Sequence, residues 1–145
     1  MTTLIGTEKG SPHKRKVRMR KIVPTEHQIQ CALIEWRDLM VSIGQHVELR
    51  WLFAIPNGGL RHKATAANLK REGVLKGVPD LFLPVARGGF HGLFLELKRP
   101  GGKLTQEQTN FLLDARRAGY AAHIAYSFEE AQTYLQTYIR RALGV

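Results

Sequence analysis

An α/β fold, with helices flanking a central mixed sheet, is predicted by three observations. A Ser or Thr is followed three positions later by Gln or Glu at Thr25/Gln28, Thr105/Gln108 and Ser127/Glu130, each ahead of a run with helical spacing. Short apolar runs bounded by Pro and Gly lie between those helices and read as strands. Finally, 145 residues at 43% hydrophobic suffice for one compact core and are too few for two.

The elements follow in order. Thr25 and Gln28 open a helix in which Ile29, Leu33, Trp36 and Met40 recur at helical spacing, and Gly44 stops it. "VELRWLFAI" alternates Leu49, Trp51, Phe53 and Ile55 with other residues, which predicts a strand ending at "PNGG". A second helix is expected over Leu60 to Glu72, closed by Gly73. The runs Val78 to Leu83 and Gly92 to Lys98 should pair antiparallel about a turn at Gly88 and Gly89. Thr105 caps a third helix to Ala118, "YAAHIAY" reads as a strand, and Ser127 caps a last helix to about Ala142. The order is α-β-α-β-β-α-β-α. Trp36, Trp51 and the lone Cys31 are expected in the core.

Charge gives the first functional indication. The chain has 22 Lys and Arg against 12 Asp and Glu, a net charge of +10, so nucleic acid is the expected partner. Lys14, Arg15, Lys16, Arg18, Arg20 and Lys21 crowd into "HKRKVRMRK" without an acid. Residues 1–24 therefore read as a basic, flexible arm suited to sequence-independent phosphate contact, and 25–145 as the folded domain. One cysteine makes no internal disulfide, and the six histidines form no paired-ligand spacing for zinc. No apolar stretch reaches the roughly 18 residues of a membrane span, and no secretory pattern follows the basic start, so an intracellular, cytoplasmic protein is expected. "PGGKLT" resembles a phosphate-binding loop, but Leu97 stands where its first glycine belongs and Leu104 where its Ser or Thr belongs. No nucleotide cofactor is expected.

Two apolar runs carry charges that a buried strand ordinarily avoids: Asp80 at the head of one, Glu96 and Lys98 near the end of the other. Strand alternation puts Glu96 and Lys98 on one face, opposite to Leu95 and Leu97. If the hairpin pairs about Gly88, Asp80 falls opposite Glu96, and cross-strand partners lie about 4.5–5.5 Å apart. Two carboxylates so placed suit one hard cation such as Mg²⁺, with a backbone carbonyl as a further oxygen, and leave positions for water and a phosphate oxygen. Lys98 then orients the attacking water or stabilises charge in the transition state. The chemistry this favours is phosphodiester hydrolysis.

"GVPD" followed by "LELK" is similar to the PD-(D/E)xK nuclease core, as Pro79-Asp80 and Glu96-Leu97-Lys98. With "TEHQIQ" opening the first helix, "IPNGG" followed by Arg61, and "KRPGGKLTQEQ" after the acidic strand, the region from Thr25 to Ala131 resembles the VRR-NUC family of virus-type replication and repair nucleases. The resemblance implies a restriction-endonuclease-like fold, Mg²⁺ or Mn²⁺ as cofactor, and action on branched DNA such as Holliday junctions by a phage-type homodimer. It implies that Asp80, Glu96 and the Leu97 carbonyl hold metal, that Lys98 is the catalytic lysine, that Glu26 is an extra acid from the first helix counted with the metal ligands, and that Gln108 sits beside the site as a catalytic candidate. Arg61, Arg99 and Lys103, with the arm, become candidate DNA contacts. The alternatives are a nuclease of flaps or ends, and a non-catalytic DNA-binding module that keeps the fold. Asp80, Glu96 and Lys98 could also form a surface ion pair, Glu26 a favourable helix-dipole charge, and Gln108 a plain capping residue.

Overall fold

The computed structural model describes residues 22–56 and 63–142. Helix α1, Glu26–Ser42, opens on the expected reciprocal cap: the Thr25 hydroxyl accepts the Gln28 N–H at 3.2 Å, and the Gln28 side chain accepts the Thr25 N–H at 2.9 Å. Its apolar stripe buries Ile29 and Leu33. Helix α3, Gln106–Arg117, begins with the same device at Thr105 and Gln108. Helix α4, Phe128–Ile139, ends short of the expected Ala142, and its cap departs from the reciprocal form. Ser127 still accepts the Glu130 N–H, but the Glu130 carboxylate reaches one residue further back, to the Tyr126 N–H at 2.8 Å.

The strand expected over 47–55 is a correction. Val47–Trp51 forms a 3₁₀ turn, and strand β1 is confined to Phe53–Ala54. The residues that go inside are Leu49 and Leu52, three apart as a 3₁₀ turn requires, whereas Trp51 is 56% exposed and Phe53 48%. Of the alternating residues that suggested a strand, Leu49 is buried while Trp51 and Phe53 face solvent. Cys31 is likewise exposed, not core, and lies beside His27. Trp36 packs against the core as expected. Helix α2 spans Lys63–Arg71.

Strands β1, β2 (Leu81–Leu83), β3 (Leu93–Leu97) and β4 (Ala121–Ala125) form a mixed sheet in that order. The first two pairings are antiparallel, and β3 with β4 is parallel, joined through α3. Gly88 and Gly89, at φ 56° and 83°, make the two-residue turn in which both central residues need positive φ. Arg87 and Phe90 pair across it, yet the strands proper pair Leu81 with Leu95 and Leu83 with Leu93. Three residues, 84–86, therefore oppose two, 91–92. Without this extra residue Asp80 would face Leu97; with it, Asp80 faces Glu96, and the offset has re-aimed a side chain as bulges do.

Helices α1 and α4 cover one face of the sheet, over Leu81, Leu83, Leu93, Leu95 and Leu97. Helix α3 covers the other, with Leu112 and Ala115 against Ala122 and Phe94. At the outer edge, the Arg116 guanidinium donates twice to the Ala122 carbonyl, at 2.6 and 3.0 Å, and occupies an edge group that would otherwise invite another strand. The charged ends of β2 and β3 belong to the α3 face.

Candidate active site

Asp80 stands one residue before β2, and continuing the Leu81–Leu95 register sets it opposite Glu96. The residue ahead, Pro79, is buried and by covalent structure has no N–H to offer the Leu97 carbonyl across the ladder. The Leu97 N–H, which faces the same side, donates instead to Asp80 Oδ2 at 2.8 Å. The regular ladder thus gives way to a carboxylate at the point where the two acids meet.

Glu96 is 1% exposed. Its Oε1 accepts from Lys98 Nζ at 2.6 Å and from the Gln108 side-chain amide. Its Oε2 is buried and makes no hydrogen bond among the described residues. A solvent-shielded carboxylate oxygen without a donor is costly, on the order of 1–3 kcal/mol, unless something else satisfies it. Gln108 is more than a cap: its Oε1 accepts the Thr105 N–H at 3.0 Å, which turns its amide nitrogen toward Glu96. Thr105 is a contributor that sequence reading passed over, although its place in the capping box was visible.

Burial raises the Glu96 carboxyl to about 7; the Lys98 hydrogen bond opposes this, and the neighbouring charges of Asp80 and Glu26 add to it. Asp80 is raised too, first by burial and also by Glu26, against the Leu97 N–H and Lys98. Burial pulls the Lys98 ammonium down, but the Glu96 hydrogen bond and the surrounding carboxylates outweigh it and leave Lys98 raised. The ammonium is therefore favoured, while burial disfavours negative charge on both acids. This is the condition of a site that gains from a bound cation.

Glu26, from the start of α1, is exposed and accepts the Arg99 N–H at 3.3 Å. It bears on Asp80, Glu96 and Lys98 electrostatically from the rim. Among the described residues no three His, Cys, Asp or Glu side chains are gathered into a ready metal cluster. The donors that fit a hard cation are Glu96 Oε2, the Asp80 carboxylate and the Leu97 carbonyl, an all-oxygen set suited to Mg²⁺ or Mn²⁺. In the following loop, a side chain at Gly102 would lie 3.0 Å from the Arg99 carbonyl oxygen, with Lys98 Cβ and Glu26 Oε1 at ordinary contact distance. Arg99 and Lys103 are exposed on this loop, directly after Lys98. Arg61 and the arm residues Lys14, Arg15, Lys16, Arg18, Arg20 and Lys21 lie outside the described residues. A groove of about 530 Å³ over Phe94, Phe111 and Tyr120 includes neither acid in its lining.

The Glu96 shift has a measurable consequence. Its folded pKa lies above the ordinary 4.5, so between pH 4.5 and 7 the folded state binds more protons than the unfolded one, and stability falls as pH rises through that window. Metal-free protein is expected to be roughly 3 kcal/mol more stable at pH 5 than at pH 8 from this group alone. Because a cation needs the ionised acid, added Mn²⁺ should raise the melting temperature more at pH 8 than at pH 5. Thermal melts at the two pH values, with and without Mn²⁺, check both signs.

Two acids and a lysine thus stand at one end of the central hairpin of a mixed sheet with helices on both faces. The VRR-NUC domain model matches residues 14–129, beginning within the basic segment. A solved structure described as a VRR_NUC domain protein superposes with a TM-score of 0.70 at 28% identity, covering 82% of this chain and 91% of that one. No curated protein matches the chain. The chain belongs to the VRR-NUC domain family.

Also among the described residues, no helix is long and apolar enough to cross a membrane.

Proposed function

We propose that the chain is a divalent-metal-dependent DNA endonuclease that hydrolyses phosphodiester bonds in branched DNA, of the Holliday-junction-resolving kind, as a homodimer. The observation that carries this reading is the buried Glu96 Oε2, without a donor among the described residues and on the same sheet face as Asp80 and Lys98. A structural ion pair would satisfy both oxygens; one kept aside suits a ligand.

Asp80, Glu96 and the Leu97 carbonyl would hold Mg²⁺ or Mn²⁺, which when bound would polarise the scissile phosphate as a Lewis acid. Lys98 orients the attacking water and offsets charge that develops on the phosphate. Gln108 and Lys98 together fix one oxygen of Glu96 and so leave the other aimed at the cation. Glu26 holds the loop that carries Arg99 and Lys103 against the site, and those two residues, with Arg61 and the arm, take the flanking phosphates without reading sequence. The +10 charge supports DNA as substrate. Resolution of a four-way junction needs two coordinated nicks, which a two-fold dimer provides.

Labelled four-way junction, flap and linear duplex, each incubated with Mg²⁺ or with chelator, test this reading. Symmetric, Mg²⁺-dependent nicks across the junction are expected. Cleavage confined to flaps or ends would replace the branched-junction substrate, and binding without cleavage in any metal would leave a non-catalytic DNA-binding module.

A further inference from the structure

The loop that delivers Asp80 lies against the helix that delivers Gln108 at Gly77. Its φ is +82°, and a side chain there would overlap the Glu107 carbonyl group and lie 2.8 Å from Gln108 N. Asp80 follows three residues later, and Gln108 donates to Glu96. Two requirements thus coincide at Gly77: a left-handed backbone and an approach closer than a Cβ allows. The backbone atoms it meets belong to the first turn of α3, fixed in turn by the Thr105 cap, so they have little freedom to retreat.

We propose that Gly77 is a positioning residue for the carboxylate pair: lacking a side chain, it lets the Asp80 loop lie directly on the first turn of α3, so that Asp80 and the Gln108-clamped Glu96 address one cation. The inference rests on the metal-site reading above.

The fold contains its own control. Gly73 has nearly the same φ, +86°, and among the described residues nothing lies within 4 Å of a side chain built there. Gly73→Ala and Gly77→Ala therefore carry similar backbone strain, and only the second adds the clash with α3. Both are expected to melt at lower temperature than the parent. Only Gly77→Ala should weaken Mn²⁺ binding in calorimetry, by at least about fivefold, and lower kcat by at least about tenfold with KM for DNA unchanged. In the Gly77→Ala/Gln108→Ala double variant the losses should not multiply, because both act on the same clamp.

Equal Mn²⁺ affinity and kcat in Gly73→Ala and Gly77→Ala would overturn the proposal, as would fully multiplicative losses in the double variant. Should Gly77→Ala fail to fold, Thr105→Ala loosens the same turn from the other side and is expected to lower kcat and Mn²⁺ affinity with KM unchanged; parental values there would overturn it equally. A parent chain that neither binds Mn²⁺ nor cleaves DNA would instead defeat the metal-site reading itself.

Discussion

Lys98→Ala is expected to lower the single-turnover cleavage rate by about 10³-fold while DNA affinity changes by less than about twofold. The separation follows from where the charge sits. Lys98 is one of 22 basic residues, so its share of the total phosphate attraction is small. It is also 8% exposed, with Nζ 2.6 Å from Glu96, so its ammonium acts at one atom of the site and not across the DNA surface. Equilibrium binding to an uncleaved junction in Ca²⁺, measured beside the cleavage rate in Mg²⁺, distinguishes the two effects. A variant that cuts at the parental rate would remove Lys98 from the chemistry.

Glu96→Gln is expected to have two effects of opposite sign. The amide keeps the shape of the side chain and removes the buried charge. Metal-free protein at pH 8 should therefore gain up to roughly 3 kcal/mol, and the decline in stability between pH 5 and 8 should flatten. Cleavage, and the rise in melting temperature on adding Mn²⁺, should both disappear, since the oxygen without a donor among the described residues no longer carries charge for a cation. A variant that gains stability while losing function marks a group retained for its ligand rather than for the fold. If Glu96→Gln destabilised the metal-free protein, the carboxylate would belong to a structural ion pair.

Much of this was legible in the sequence because it rests on short-range rules. Strand alternation puts Glu96 and Lys98 on one face, and pairing about Gly88 sets Asp80 opposite Glu96, the register of the observed Leu81–Leu95 pair, although the observed turn is centred between Gly88 and Gly89. The turn alone would have given the wrong partner, since Arg87 pairs with Phe90; the bulged residues 84–86 supply the compensating offset. The helix caps were equally visible, because each joins residues three apart.

What sequence left obscure depends on contacts between distant segments. The segment Val47–Trp51 alternates like a strand, and only packing shows that Leu49 and Leu52 are the pair that goes inside. Glu48 there meets Arg87, 39 residues away, at 2.8 Å, a partnership that no local pattern signals. Gln108 reads as a capping residue by its spacing and is one; only the family resemblance sets it beside the site, and its hydrogen bond to Glu96 exists because α3 begins beside the end of β3. Gly77 carries no chemical mark either; its importance lies in the side chain it lacks.

Anomalous scattering from crystals soaked in Mn²⁺ tests the central claim most directly. One strong peak is expected at about 2.0–2.3 Å from Glu96 Oε2, with an Asp80 oxygen and the Leu97 carbonyl among its other neighbours. Protein that cleaves DNA in Mn²⁺ yet shows no peak between these two acids, or binds the ion elsewhere, would contradict it.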